Sequence, residues 1–193
     1  MTTVLLTGFE PFGTATSNPS GEIVKQISGD HSVTAILPVA YAQSAERLLA
    51  LIAEHNPDVV ICLGQAEGRT QISPEKVAIN LDDARLADNE GVLRNDVKIL
   101  EGGPDAYFST LPVKEIVDAI KTAGVPAAIS LSAGAFLCNH VFYVAQNKFA
   151  GTNVRSGFVH VPLMDSQAPE FPGLPTMPLD QMVIAVRAML EVL

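Results

Sequence analysis

Five consecutive apolar residues, Val59-Val60-Ile61-Cys62-Leu63, bounded by Asp58 and Gly64, constrain this chain more than any other stretch. Alternate side chains of a strand point to opposite faces, so an unbroken apolar run belongs to a strand covered on both sides. Such strands build sheets flanked by helices, and the rest of the chain keeps to that plan. Residues 4–6 read as a short buried strand closed by Gly8, and 32–37 as another ended by Pro38. Residues 76–81, 127–131 and 157–161 supply further strands. Helical periods lie between them. One helix runs from an N-cap at Ser20 through Ile27, with Glu22 in its first turn. A second is capped by Ser44 and carries a stripe of Leu48, Leu49, Ile52 and Ala53. A third starts at Pro112, presents Val113, Ile116, Val117 and Ile120, and stops at Gly124. Residues 137–149 and 179–193 complete the helices. Residues 82–103, polar and Gly-rich, are predicted as loop with room for a hairpin, and 165–177 as a Pro-rich loop. The alternation predicts an α/β fold with a largely parallel central sheet, without ordering its strands.

Composition narrows the class. The 193 residues are 48% hydrophobic and 17% charged, with a mean hydropathy of +0.27. A chain of this mass buries roughly 70% of its unfolded surface, which fits a single domain over residues 1–193 and excludes disorder. No repeat or linker interrupts it. Acidic side chains outnumber basic ones by 21 to 12, a net charge of −9, and no stretch gathers three Lys/Arg. No nucleic-acid partner is therefore expected. The longest apolar runs, 59–63 and 182–186, have five residues each. A bilayer needs about 20, so no membrane span is expected either. The opening residues lack the basic start of an export signal. Two cysteines in unlike contexts give no disulfide framework, and the expectation is a reducing cytoplasmic setting.

Ligand sites in such sheets lie beyond the carboxyl ends of the strands. The segments to search are therefore 8–18, 64–75, 82–91, 132–139 and 162 onward. Phe9 and Phe12 stand in the first, either as anchors to the core or as walls of a site. The Gly8 to Gly13 spacing is that of a phosphate loop, but no Lys-Ser/Thr follows, so that reading fails. Cys138 is the sharper signal. Small residues from Ser132 to Ala135 lead into a helix whose first turn holds it, where free N–H groups and the dipole favour a thiolate and an oxyanion. Cys62, inside the apolar run, reads as core. A cysteine nucleophile needs an imidazole base. His140 is two residues on, about 200° around the helix, and faces away. His31 beside Asp30 and His55 at a helix end read as structural. His160, in Gly157-Phe158-Val159-His160-Val161-Pro162, remains as the base, with a core histidine as the alternative. The carboxylate that orients it stays open among Glu10, Glu67, Glu75, Asp82, Asp83, Asp88 and Glu90. The acidic group 82–90 around Arg85 reads as a salt-bridged loop. No Cys/His metal spacing exists, and no metal or other cofactor is expected.

These residues carry a wider pattern. Leu6 to Gly13 with Asn18-Pro19-Ser20, Gly64-Gln65-Ala66-Glu67-Gly68-Arg69, residues 72–80, Asp83-Ala84-Arg85 and Asp88-Asn89-Glu90-Gly91 resemble the pyroglutamyl peptidase I (pyrrolidone-carboxylate peptidase) family. Ser132-Ala133-Gly134, Leu137 to Tyr143 and Gly157 to Pro162 extend the resemblance, in collinear order, over nearly the whole chain. The resemblance implies a phosphorylase/hydrolase-like three-layer α/β/α sandwich. It also implies a cysteine peptidase that removes N-terminal pyroglutamyl groups from peptides through a thioester, with a Cys138–His160–Glu75 triad. By the same analogy Arg85 lies near the site and supports the oxyanion. Phe9, Phe12, Phe136 and Leu137 line the slot for the ring, and Gln65 meets its amide. Relatives form homo-oligomers, so a dimer or tetramer is expected. Three departures stand out: Ala135 stands where Thr is common, the segment from Gln146 to Arg155 is shorter than in many relatives, and residues 165–178 are idiosyncratic. The rival readings are a phosphorylase-like glycosyl transferase with an anion site at Arg69 and Arg85, and a catalytically silent binding protein.

Overall fold

Alternate residues of the central strands face two different cores. The computed structural model describes residues 2–27 and 32–193; His31, read above as structural, lies outside the described residues. In chain order the elements are β1 (Val4–Phe9), α1 (Pro19–Gln26), β2 (Ser32–Leu37), α2 (Tyr41–His55), β3 (Val59–Gln65), β4 (Ser73–Pro74), β5 (Val77–Ile79) and β6 (Ala106–Phe108). Then follow α3 (Val113–Thr122), α4 (Leu137–Phe149), β7 (Arg155–Val161), β8 (Leu163–Met164), β9 (Thr176–Met177) and α5 (Leu179–Leu190). Val4, Leu6, Val59, Ile61, Leu63, Val159 and Val161 pack on one side with α1, α3 and α5. Leu5, Phe9, Val60, Cys62 and Phe158 pack on the other with α2 and α4. This is the three-layer α/β/α sandwich, and the five-residue apolar run owes its composition to being covered twice.

The sheet order is β2-β1-β3-β7-β4, parallel except for the antiparallel β4. The chain leaves β1 in one direction toward β2 and later continues on the other side of β1 through β3. A crevice therefore opens between the carboxyl ends of β1 and β3, the switch point at which such folds bind ligands.

Several local expectations are corrected by contacts distant in sequence. β1 and β3 run through Gly8 and Gly64 instead of ending there. A Cβ on Gly8 would collide with the Ser20 carbonyl, so this glycine serves the close approach of α1 to β1. Asn18, not Ser20, caps α1: its Oδ1 accepts from the Ser20 N–H at 3.1 Å, while the Phe9 N–H donates to Ser20 Oγ at 3.0 Å. Ser44 lies inside α2, which begins at Tyr41 and has no cap of its own. Asp88 fills that place from 47 residues away, its Oδ2 accepting from the Tyr41 N–H at 2.9 Å. The buried stripe of α2 is Leu48, Leu51 and Ile52, with Leu49 and Ala53 turned outward.

The expected strand 127–131 contributes only two isolated parallel bridges, Ile72–Ala127 and Glu75–Ser130, because its neighbour β4 is itself two residues long. β5 leaves the main sheet to pair with β6, a segment without apolar alternation. Within residues 82–103 the hairpin is reduced to one antiparallel bridge, Asp82–Val97. The Pro-rich loop holds a 3₁₀ turn at Asp165–Gln167, and its end, β9, pairs with β8 just before it.

Candidate active site

The site is assembled on the α2/α4 face of the sheet. β4 pairs antiparallel with β7, Ser73 opposite His160 and Pro74 opposite Val159, and the Glu75 N–H donates to the Phe158 carbonyl at 2.8 Å. That pairing carries the wholly buried Glu75 to His160, with Oε1 2.7 Å from Nδ1. A carboxylate only accepts, so Nδ1 bears the hydrogen and Nε2 is left with its lone pair. Of the seven open carboxylates, Glu75 is the one that bonds to His160 among the described residues.

Cys138 is the second residue of α4, whose N-cap Phe136 has extended backbone. Its sulfur lies over Gly64: a Cβ built on that glycine would be 2.8 Å from Sγ. Gly64 is the register partner of His160 in the β3–β7 ladder, so sulfur and imidazole occupy neighbouring positions on one face. Asn139 locks this end of α4. Its Oδ1 accepts from the Ile79 N–H, and its Nδ2 donates to the Ile79 and Leu81 carbonyls, all at 2.9 Å. No side chain caps α4, which leaves its first-turn N–H groups available.

The expected thiolate is not favoured. Burial pushes the Cys138 thiol up to about 12, the Glu75 carboxylate and then Cys62 add to this, and Arg69 and the residue's own N–H oppose it. A helix N-terminus contributes too little to outweigh those terms. His160 is shifted down from the ordinary imidazole value, mainly by burial, with Glu75 opposing and Arg69 assisting. Both shifts favour a neutral thiol and a neutral imidazole. Cys62, fully buried, is likewise raised, to about 11, and belongs to the core.

A cleft of about 330 Å³, counting its open mouth, adjoins the sulfur at the switch point. Phe9, Phe12, Gln65, Phe136 and Leu137 line it as expected, joined by Asn18 and Val39. Phe12 and Phe136 lie 6.3 Å apart between ring centres, and Tyr41 meets Phe136 edge-on at 5.8 Å. The walls are apolar and uncharged except for amide groups.

Arg85 does not join this constellation. It is exposed and makes no hydrogen bond or ion pair among the described residues; only its loop borders the site, through the Asp83 N–H on the Ala135 carbonyl. The arginine beside Glu75 is Arg69, with Nη2 2.9 Å from Glu75 Oε1 and 3.1 Å from the Ser132 carbonyl. Arg69 is the only basic residue in the loop after β3, which was the available signal. The acidic loop 82–90 closes on Arg94, whose Nη1 is 2.6 Å from Asp82 Oδ2, not on Arg85. The same carboxylate holds His140 Nδ1 at 2.9 Å, leaving that histidine buried and structural. His55 ends α2 on the surface. Among the described residues no group of three His, Cys, Asp or Glu is placed to hold a metal.

The model of the pyroglutamyl peptidase family matches residues 2–193. The chain belongs to that family. Pyrrolidone-carboxylate peptidase 1 of Ralstonia nicotianae is 47% identical, covering 99% of this chain and 92% of its own. The enzyme of Pectobacterium carotovorum is 48% identical over the same shares. The crystal structure of pyroglutamyl peptidase I from Bacillus amyloliquefaciens superposes with a TM-score of 0.94 at 42% identity, covering 98% of this chain and 95% of that one. A mutant pyrrolidone carboxyl peptidase from Pyrococcus furiosus gives 0.92 at 39% identity, covering 98% and 97%. Family membership and the α/β/α sandwich thus agree.

Proposed function

We propose that this chain removes N-terminal pyroglutamyl groups from peptides, with Cys138 as nucleophile, His160 as proton carrier and Glu75 as its orienting carboxylate. The observation that carries the reading is the buried Glu75–His160 bond on the same face of the sheet as the Cys138 sulfur, which itself lines an apolar cleft. A pyroglutamyl ring is flat and uncharged, and it suits walls of Phe9, Phe12 and Phe136. The exocyclic acyl carbon that joins the ring to the next residue is attacked by sulfur as the thiol proton passes to His160 Nε2. The oxyanion is received by the free N–H groups at the start of α4, not by Arg85. The C–N bond then breaks, and Nε2 returns the proton to the leaving amine. Water adds to the thioester with Nε2 as base, the C–S bond breaks, and pyroglutamic acid and the thiol are restored. Arg69, in contact with the Glu75 oxygen that meets His160, fixes that carboxylate. Its engagement there also removes it from the anion site that a phosphorylase would need.

Thiol alkylation tests the reading. Iodoacetamide is expected to abolish amine release from a pyroglutamyl amide, with Cys138 as the residue modified. Full activity after complete alkylation of Cys138 would remove the cysteine from the mechanism.

The neutral resting pair fixes the pH dependence. Activity needs His160 unprotonated, so kcat/KM should rise through a pKa below the ordinary value of about 6.5. The thiol lies at about 12, so no descending limb is expected in the neutral and mildly alkaline range. A preformed thiolate–imidazolium pair would instead lose activity there as the imidazolium deprotonates. A bell with a descending limb near pH 8 would contradict the neutral pair.

The reading extends to a homo-oligomer, dimer or tetramer, acting in the cytoplasm. Phe108 and Leu131, 69% and 74% exposed, are apolar surface of the kind that self-contact covers. Among the described residues no helix is long and apolar enough to cross a membrane.

A further inference from the structure

Gln65 presents an unusual end to the cleft. It is 7% exposed, and its Nε2 is buried without a hydrogen-bond partner. A buried N–H₂ group left unpaired is costly unless a ligand accepts from it. A primary carboxamide is nearly symmetric in shape, so Gln65 alone has no reason to offer its donor and not its acceptor. The neighbouring Gln167 supplies the reason. It is completely buried, and its Oε1 accepts from the Met164 N–H at 2.9 Å. Its Nε2 donates to the Ser17 carbonyl at 3.2 Å and to Gln65 Oε1 at 3.0 Å. A backbone N–H only donates and a backbone carbonyl only accepts, so these two groups fix both ends of Gln167. That orientation in turn claims the oxygen of Gln65 and turns its nitrogen to the cleft.

We propose that Gln167 is a positioning residue that sets the polarity of Gln65, making the cleft selective for rings that carry a hydrogen-bond acceptor. The inference rests on the pyroglutamyl reading above and deepens it: the group met by Gln65 is the ring carbonyl, which accepts, not the ring N–H, which donates. A ring with CH₂ in place of the carbonyl leaves the Gln65 donor unpaired and is rejected for that reason. Discrimination therefore originates in two backbone groups, at Met164 and Ser17, relayed through two amides.

The experiment compares two amides of one chromogenic amine, 3-oxocyclopentanecarbonyl and cyclopentanecarbonyl, which differ only in the ketone. They are measured as substrates and as competitive inhibitors of pyroglutamyl hydrolysis, so that a constant is read even where turnover is slow. The wild-type chain should favour the ketone ring by about 10- to 100-fold. In Gln167→Glu both oxygens accept, so Gln65 should reverse and the preference should vanish. Gln167→Met, which only frees the Gln65 amide, should lower the preference part of the way and stands in if the charged variant fails to fold. In a Gln65→Leu background neither change should matter further. Throughout, the rate of Cys138 alkylation by iodoacetamide should hold, because that probe does not use the ring subsite.

An unchanged preference in Gln167→Glu and Gln167→Met would overturn the proposal. So would an effect that persists in Gln65→Leu, or one matched by a fall in alkylation rate, since either marks Gln167 as a structural support of the loop. The cysteine reading fails separately, through activity that survives alkylation, and the ring preference remains measurable in that case.

Discussion

His160→Ala is expected to lower kcat on a pyroglutamyl amide by about 10³- to 10⁴-fold while the chain stays folded. The magnitude follows from the state of the nucleophile. With burial pushing its thiol up to about 12, Cys138 alone is scarcely ionised at pH 7, so it depends on a base in place to take its proton. His160 is the imidazole on the sulfur's face of the sheet, and its Nδ1 is already committed to Glu75 at 2.7 Å. The measurement is kcat beside a circular-dichroism melt. Activity within tenfold of wild type would exclude His160 as the proton carrier. A chain that no longer folds would make it the core histidine that strand alternation also allows.

Gly64→Ala should be nearly as damaging, although the residue bears no functional group. The added methyl would lie 2.8 Å from the Cys138 sulfur and 2.6 Å from Cζ of Phe158, both shorter than real contacts. Phe158 is held under α4 against Phe142, with ring centres 6.1 Å apart, so the sulfur must give way. A displacement of about 1 Å at a reacting atom costs about 100-fold in rate. Overpacking of this kind costs about 1–3 kcal/mol in stability. Steady-state kinetics together with urea denaturation reads both quantities. A variant with wild-type kcat/KM would show that the sulfur has room to move without leaving its reactive position.

The parts of this structure that were legible in sequence are those decided locally. The run from Val59 to Leu63 is apolar because both faces of β3 are covered, and no other structure explains it. The α4 span was readable end to end, because Gly134 and the small residues before it contrast with the apolar period after it. Cys138 could be singled out from its place in that first turn. What was not legible depends on partners far along the chain. Asp88 reaches α2 and displaces Ser44 as its cap. Arg69, not Arg85, meets Glu75, because β4 turns the loop after β3 back along β7. The direction in which Cys138 is shifted is also non-local: the helix terminus is visible in sequence, whereas the burial and the Glu75 carboxylate that raise its pKa are not. Resemblance to a family supplied Glu75 before any distance did, and the pairing of β4 with β7 supplies the physical cause.

The position of β7 has one more consequence. Glu75, Cys138 and His160 come from three well-separated segments, and β7, late in the sequence, sits inside the sheet between β3 and β4. The sheet has no seat for β4 until residues 155–161 are in place, so Glu75 and His160 meet only after most of the chain has left the ribosome. A nascent or truncated chain lacking β7 also lacks His160, the base of the proposed mechanism. Non-local closure of this sort slows folding, and on the proposed reading it ties the assembly of the site to completion of the fold.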